Sequence, residues 1–113
     1  KEIINNPNNY DRLKGLIKAN NKDHLLELIL IGYKLFGYNG NFNWIDTSSI
    51  TDMSELFIDS VFNGDISCWD VSNVTDMSFM FCRAKIFNQP LNNWDVSNVK
   101  NMEYMFHYAE SFN

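Results

Sequence analysis

Three acidic residues recur at matching places along the sequence, and they are its best candidates for binding chemistry. Each acid is followed two positions later by a serine; the six residues are Asp46, Ser48, Asp70, Ser72, Asp95 and Ser97. If stacked strands carry them about 4.8 Å apart, the carboxylates form a close row of like charges that needs compensation. Two interpretations stay open. Backbone amides and serine hydroxyls satisfy the acids in a structural role, or the row binds a basic partner or a cation such as calcium.

Two further polar ladders accompany this row. The first consists of Asp52, Asp76 and Asn101. Each of these residues lies at the start of a segment whose apolar residues recur at helical spacing. This position predicts that they cap helices. The second follows a phenylalanine in each repeat and consists of Asn63, Asn88 and Asn113. We expect these asparagine side chains to bond the backbone of their loops, which is a structural role.

The sequence contains no pattern typical of a catalytic centre. Its two histidines, His24 and His107, lie in unrelated contexts, and we interpret both as surface or packing residues. Neither a nucleophile motif nor a glycine-rich phosphate-binding loop is present. Cys68 and Cys82 lack the spacing of a metal site, so we expect unpaired thiols unless the fold brings them together as a disulfide. We therefore predict a non-enzymatic protein without a cofactor or metal.

Composition and charge narrow the class of partner. The 113 residues suffice for one domain, and 45% hydrophobic content with nine Phe supplies a core. Residues 1–43 carry six Lys or Arg against four acids, a balance of +2, whereas residues 44–113 carry three against ten, a balance of −7. Because nucleic-acid phosphates bind Lys and Arg, this acidic part argues against nucleic acid as a partner. Protein and cationic partners remain.

The apolar runs and the two ends of the sequence were compared with the patterns of membrane spans and signal peptides. No run of 18 or more apolar residues is present, so nothing predicts a membrane span. The chain begins without an initiator Met or a signal-peptide pattern and stops part-way through a repeat. We interpret both ends as boundaries set by processing or by expression of a segment.

A repeated stretch organises the second part of the chain. The segment 69–81 returns 25 residues later as 94–106, and a looser copy occupies residues 45–57. A fixed period between about 20 and 50 residues is the signature of a solenoid. We therefore predict about three repeats of 24–25 residues, at 45–68, 69–93 and, incomplete, 94–113.

Each repeat is predicted to contain one short strand and one short helix. Trp94 and Val96, two positions apart, would face the same side of a strand. Val99, Met102 and Met105 follow at helical spacing. Stacking such units would bury the aligned Trp, Met and Phe as ladders in one core and would join the strands in a parallel sheet. The fold class that follows is an α/β repeat of short parallel strands and short helices.

Residues 1–43 are predicted to form an N-terminal capping segment. A helix is expected at about 21–36, with either Asn20 or Asn21 as its cap and Gly37 placed to end it. This helix would plug the open end of the repeat stack. Residues 10–18 are compatible with either a helix or an edge strand.

The repeat resembles a known family. The patterns L-N-N-W-D-V-S-N-V-x-x-M-x-x-M-F at 91–106 and A-x-x-F-N-Q-P at 84–90 are similar to the BspA-like leucine-rich repeat proteins of bacteria. The resemblance extends over residues 45–113, and the helix before the repeats looks like the usual lead-in. It implies a leucine-rich-repeat-like solenoid with an N-terminal helical cap, located at the cell surface or secreted. It also implies adhesion to host or matrix proteins.

We accordingly expect a non-enzymatic protein-binding or adhesion module of a bacterial surface protein. Its contact surface is predicted on the strand face and consists of Asp46, Ser48, Asp70, Ser72, Asn93, Asp95 and Ser97. The alternative is a structural spacer, or a scaffold that self-associates through the open last repeat, without a specific ligand.

Overall fold

The computed structural model describes residues 13–113, and the regular elements of that part are three. They are β1 (Ile17–Lys18), α1 (Lys22–Phe36) and β2 (Ile45–Asp46). β1 and β2 pair in parallel, with Lys18 opposite Asp46, and α1 forms the crossover between them. The ambiguous stretch 10–18 therefore ends in a strand, while its residues 10–12, like the start of the capping segment, lie outside the described residues.

The helix α1 is confirmed at the predicted place. Asn21 caps its start, because the Asn21 Oδ1 atom accepts the His24 N–H at 2.9 Å. Gly37 ends it with a φ of 76°, a left-handed conformation that glycine adopts without steric cost. The buried residues of α1 are Leu25, Leu28, Ile29 and Gly32. Lys22 at its start donates to Ser54 Oγ at 3.0 Å, so α1 packs against the first repeat.

The repeats contain turns where the sequence predicts helices. In the first repeat the Leu56 N–H donates to the Met53 carbonyl at 3.3 Å, a spacing of three residues. Glu55 and Asp59 have φ values of 59° and 56°, a conformation that a right-handed helix does not contain. Later repeats carry left-handed residues at the matching positions, Phe79, Arg83, Tyr104 and Tyr108. The helix predicted within each repeat, as at 99–106, is therefore wrong.

Hydrogen bonds between repeats take the place of the helical ones. In the turn segment of the first repeat, residues 53–59, every second N–H donates to a carbonyl of the second repeat at 2.8–2.9 Å. The donors are Met53, Glu55, Phe57 and Asp59, and the acceptors are Asp76, Ser78, Met80 and Cys82. A helix would direct these donors to carbonyls four residues back in its own segment. Met53, Leu56 and Phe57 are still buried at spacings of three and four, so the periodicity is real although the helix is not.

The strands predicted at the start of the later repeats are corrected as well, because the described residues form no regular strand beyond β2. Trp69 and Val71 lie in irregular, turn-rich backbone, and so do Trp94 and Val96. The predicted alternation of buried and exposed side chains is nevertheless found in the second repeat, where Trp69 and Val71 are buried and Asp70 between them is exposed. The local elements of the predicted α/β repeat are thereby corrected, whereas the solenoid as an overall arrangement stays a prediction.

Phenylalanine side chains form two columns through the repeats. One column consists of Phe57, Phe81 and Phe106, and the other of Phe62, Phe87 and Phe112. Successive rings of a column lie 5.4–6.0 Å apart, and the two rings of one repeat stack at 4.0–4.3 Å. Burial of each such ring stabilises the fold by about 1.5–3 kcal/mol. The predicted phenylalanine ladder is confirmed.

The left-handed turn residues give a test of the corrected repeat. Replacing the exposed Glu55 by glycine should raise the free energy of unfolding by about 0.5–1 kcal/mol, because a φ of 59° is unfavourable for a residue with a Cβ. Replacing it by valine should lower that free energy by about 1 kcal/mol, since branched side chains tolerate this conformation least. Urea denaturation measures both. In a helix glycine would destabilise, so a Glu55→Gly variant less stable than the wild type contradicts the turn.

Candidate binding face

Each acid of the predicted row is held by a turn of its own. The Asp46 Oδ1 atom accepts the Ser48 N–H at 2.9 Å. The Asp70 Oδ1 atom accepts both the N–H and the hydroxyl of Ser72, at 2.9 and 2.6 Å. In the third repeat the Asp95 Oδ1 atom accepts the N–H two residues on at 3.0 Å. These are Asx turns, in which a short acid or amide replaces a backbone acceptor. Backbone N–H groups and a serine hydroxyl within the turns therefore compensate the carboxylate charges.

The same turn occurs elsewhere in every repeat. Its other acceptors are the Oδ1 atoms of Asp52, Asp65, Asp76 and Asn101, at 2.8–3.0 Å from the N–H two residues on. The sequence predicts that Asp52, Asp76 and Asn101 cap helices. They cap turns instead, because no helix follows any of them. Asn101 occupies the position of an aspartate of the second repeat, Asp76, so an amide serves this turn as well as a carboxylate does.

Hydrogen bonding lowers the pKa of two acids of the row. The backbone and hydroxyl groups of Ser48, and more weakly the charge of Lys18, hold the pKa of Asp46 below its ordinary value. The hydroxyl and backbone N–H of Ser97 do the same for the pKa of Asp95. Both side chains therefore stay ionised at neutral pH, and the face keeps its negative charge.

Side chains of one repeat tie its acidic turn to the preceding one. Asn73 Nδ2 donates to the Ser48 carbonyl at 2.7 Å, and Asn98 Nδ2 donates to the Ser72 carbonyl at 2.7 Å. The Thr47 hydroxyl donates in the opposite direction, to the carbonyl of the second acid, at 2.9 Å. Chains joined in this way lie about 5 Å apart. The three acidic turns consequently follow one another as a row, as the sequence predicts.

Part of the predicted face borders a shallow depression of about 350 Å³. Asp70, Asn93 and Asp95 line it, together with Lys14, Ser67 and Cys68. The remaining members of the predicted face, Asp46, Ser48, Ser72 and Ser97, do not line this depression. The structure therefore brings three of the seven predicted residues together at one concave site.

Two lysines at this face were not predicted. Lys14 lies on the rim of the depression, and Lys18 stands opposite Asp46 because β1 pairs with β2. Their position depends on a pairing between distant segments, and no local pattern signals it. The first acid of the row is thereby partly neutralised, and Asp70 and Asp95 remain as its exposed acids.

The asparagines that follow the phenylalanine columns link neighbouring repeats. The Asn63 Oδ1 atom accepts the Asn88 N–H at 2.9 Å, and the Asn88 Oδ1 atom accepts the Asn113 N–H at 3.2 Å. Gln89 Nε2 donates to the Asn63 carbonyl at 3.0 Å. The predicted structural role is confirmed for Asn63 and Asn88, with the difference that the bonded backbone belongs to the next repeat.

The histidines and cysteines lie at separate places. His24 Nδ1 accepts the Asn20 N–H at 3.0 Å at the start of α1, whereas His107 packs beside two tyrosine rings of the last repeat. Cys68 is an exposed free thiol and Cys82 a buried one. Among residues 13–113, no group of three or more His, Cys, Asp or Glu side chains is placed to hold a metal ion.

Comparison with known proteins gives one match. A family model described as Mycoplasma protein of unknown function, DUF285, matches residues 32–113, from the middle of α1 through all three repeats. No curated protein and no solved structure matches the chain. Separately, no helix in the described part of the chain has the length and apolar character needed to cross a membrane.

The lowered pKa values of Asp46 and Asp95 predict how pH changes the stability that these two carboxylates contribute. In Asp46→Asn/Asp95→Asn both turns keep an accepting Oδ1 atom, but an amide accepts more weakly than a carboxylate, so the variant should be less stable than the wild type at pH 7. A depressed folded pKa contributes stability above the ordinary Asp value, near 3.9, that is lost as pH falls through the folded pKa. The difference in unfolding free energy, measured by urea denaturation, should therefore shrink between pH 5 and pH 2. A difference that grows with acid contradicts this assignment.

Proposed function

Since the chain belongs to the DUF285 family, described as Mycoplasma protein of unknown function, we propose a function from its surface chemistry. We propose that it is a non-enzymatic protein-binding or adhesion module of a bacterial surface protein and that its acidic face binds a Lys/Arg-rich polypeptide segment. The acidic face consists of Asp46, Ser48, Asp70, Ser72, Asn93, Asp95 and Ser97. The observation that carries the proposal is the row of carboxylates held in a fixed orientation by their turns.

The charge of the repeats supports a basic partner. Residues 44–113 have a balance of −7, and Asp70 and Asp95 are exposed beside the depression. Two unit charges about 5 Å apart interact by less than about 1 kcal/mol in water, so the row is tolerated without a bound cation. Each exposed ion pair with a partner contributes about 0–1 kcal/mol, and the acidic field also steers a basic partner toward the face. Several such contacts along the row would therefore provide both affinity and orientation.

The depression supports a specific mode of contact. At about 350 Å³ it accommodates one long side chain, and its carboxylates lie on two successive repeats. We propose that a lysine or arginine of the partner enters between Asp70 and Asp95. Lys14 on the rim would repel a second cation there and so limits the site to one basic side chain. In a leucine-rich-repeat-like solenoid, which we propose as the overall arrangement, each repeat adds one acid to the row.

Removal of two charges tests the face. In Asp70→Asn/Asp95→Asn both turns keep their accepting atom, so the fold should persist while the charge is lost. Binding of a fluorescein-labelled ten-lysine peptide, measured by fluorescence anisotropy in low salt, should weaken roughly two- to thirtyfold, the loss of two exposed ion pairs. Added salt should weaken the wild-type complex more than the variant complex.

A matched control separates this face from overall charge. Asp52→Asn/Asp76→Asn removes the same number of acids from the same kind of turn at another part of each repeat. We expect this control to bind the peptide nearly as well as the wild type. Equal weakening in both variants means that only net charge matters, and the proposed face is then wrong.

Location at the cell surface is tested on intact cells that express the chain. Protease treatment should release peptides from residues 44–113, while a cytoplasmic marker stays intact. Lysed cells serve as the positive control for cleavage. Complete protection in intact cells contradicts the surface location and with it the adhesive role.

A second candidate function is a structural spacer or self-associating scaffold. The exposed apolar side chains of α1 favour it, since Leu30 is 57% exposed and Ile31 is 47% exposed. Light scattering over a concentration series distinguishes the candidates. A self-associating scaffold gives a mass that rises with concentration, whereas the binding module stays at constant mass.

A further inference from the structure

A second depression, of about 310 Å³, lies between the first and second repeats and shares no residue with the acidic face. It is termed the basic depression, and its lining consists of Asp59, Ser60, Val61, Arg83, Lys85 and Ile86. Residues 44–113 contain three Lys or Arg, and two of these three cations lie here. The most acidic part of the sequence therefore has one site at which cations outnumber acids.

An ion pair between the two repeats fixes Arg83 in the basic depression. The Arg83 Nε and Nη2 atoms donate to the Oδ1 and Oδ2 atoms of Asp59, at 2.5 and 3.1 Å. The Asp59 N–H donates to the Cys82 carbonyl at 2.9 Å, and the Arg83 N–H donates to the His107 carbonyl at 2.8 Å. Both the side chain and the backbone of Arg83 are therefore held before any partner arrives, which lowers the entropy that binding costs.

This ion pair leaves a second edge of the guanidinium open. A guanidinium carries five N–H donors, and the pair with Asp59 uses one on Nε and one on Nη2. Among residues 13–113 the Arg83 Nη1 atom has no hydrogen-bond partner. The Nη1 atom and the remaining N–H of Nη2 form a fork that matches the two oxygens of a carboxylate. Arg83 can therefore bind one more carboxylate while it keeps Asp59.

Lys85 supplies the charge that a further carboxylate needs. Its side chain is exposed and forms no ion pair within the described part of the chain. The hydrogen bond and charge of Arg83, and more weakly the charge of Lys85, hold the pKa of Asp59 below its ordinary value, so Lys85 lies close to this pair. Glu110 has the matching position in the third repeat, but it does not line the depression. Two cations and one acid leave a local charge of +1, which one carboxylate of a partner neutralises.

Two exposed aliphatic side chains lie beside these charges. Val61 is 53% exposed and Ile86 is 47% exposed, at matching positions of the first two repeats. The local turn does not require an aliphatic residue there, because Ser111 has this position in the third repeat. The next residue, Phe112 or Phe87, donates its N–H to the carbonyl three residues back in both repeats, at 3.2 and 3.4 Å. The exposed aliphatic groups are therefore available to pack against a partner.

We propose that the basic depression binds a segment of a partner protein in which a Glu or Asp side chain adjoins aliphatic side chains. The partner's carboxylate accepts hydrogen bonds from the open edge of Arg83 and from Lys85. Its aliphatic side chains pack on Val61 and Ile86. The charge of the site selects an acidic segment, and the aliphatic groups select a polypeptide over a small anion. The proposal does not depend on the acidic face.

A ten-residue glycine and serine peptide with a central Leu-Glu-Leu sequence tests the proposal. It is titrated into the isotopically labelled chain, and amide shifts are followed by NMR. Saturable shifts should be confined to residues 59–61 and 83–86. Lys85→Glu should weaken binding roughly three- to thirtyfold, because it replaces one exposed attraction by a repulsion. Lys100→Glu is the matched control, since it changes the net charge equally at an exposed lysine outside the depression, and it should bind as the wild type does.

Two control peptides separate the two kinds of contact. One has glutamine in place of its glutamate, and the other has serine in place of both leucines. Each should bind at least about threefold more weakly than the test peptide, because one loses the carboxylate and the other the apolar contact.

Four results would overturn the proposal. The first is the absence of saturable shifts at ten millimolar peptide, and the second is equal weakening by the two lysine variants, since only net charge then matters. The third is equal binding of the glutamine peptide. The fourth is equal binding of the serine peptide or of inorganic phosphate, because the site then takes any anion. None of these results bears on binding of the ten-lysine peptide, so the two proposals fail separately.

Discussion

The hydrogen bonding between the turn segments of neighbouring repeats is the constraint on which the rest of the structure depends. In the turn segments of the first two repeats, alternate N–H groups leave the segment and donate to carbonyls of the next repeat. Each such bond contributes about 0.5–1.5 kcal/mol net, and four of them join each pair of repeats. Two left-handed residues per repeat, such as Glu55 and Asp59, disfavour the segment by about 1–2 kcal/mol each. Burial of the phenylalanine columns then makes the arrangement favourable.

The same constraint explains the acidic face. A segment made of successive turns has few internal carbonyls free for its own N–H groups, and the side chains of Asp and Asn take over as acceptors. Asp70, for example, satisfies the N–H of Ser72 and still presents its charge to solvent. A residue chosen for the turn thus also sets the electrostatic potential of the surface. The acids of the row can therefore both form the turns and bind a partner. Exchange of aspartate for asparagine distinguishes the two roles, because it keeps the accepting Oδ1 atom and removes the charge.

Much of the fold was accessible from the sequence, and the failures have a common origin. The helix α1 was predictable because its cap, its apolar stripe and Gly37 are local signals. The periods of 24 and 25 residues correctly aligned the residues that become ladders. The spacing of Met53, Leu56 and Phe57 was misread as helical, because successive three-residue turns bury the same positions. The left-handed residues carry side chains as large as Phe79 and Tyr104, so no glycine marked the turns. At the candidate face the acids were predictable from their register, whereas Lys14 and Lys18 arrive through the long-range pairing of β1.

The four N–H groups that each turn segment directs to the next repeat share one orientation, and this has an electrical consequence. Each peptide unit carries a dipole of about 3.5 D, and units aligned head to tail add together, as they do along a helix. In this chain the addition runs across the repeats and not along the backbone. The turn segments therefore acquire a net dipole whose negative side faces α1 and whose positive side faces the later repeats. A repeat that is acidic by sequence thus presents the partial positive charge of its N–H groups on one side of its turn segment, set by backbone geometry alone.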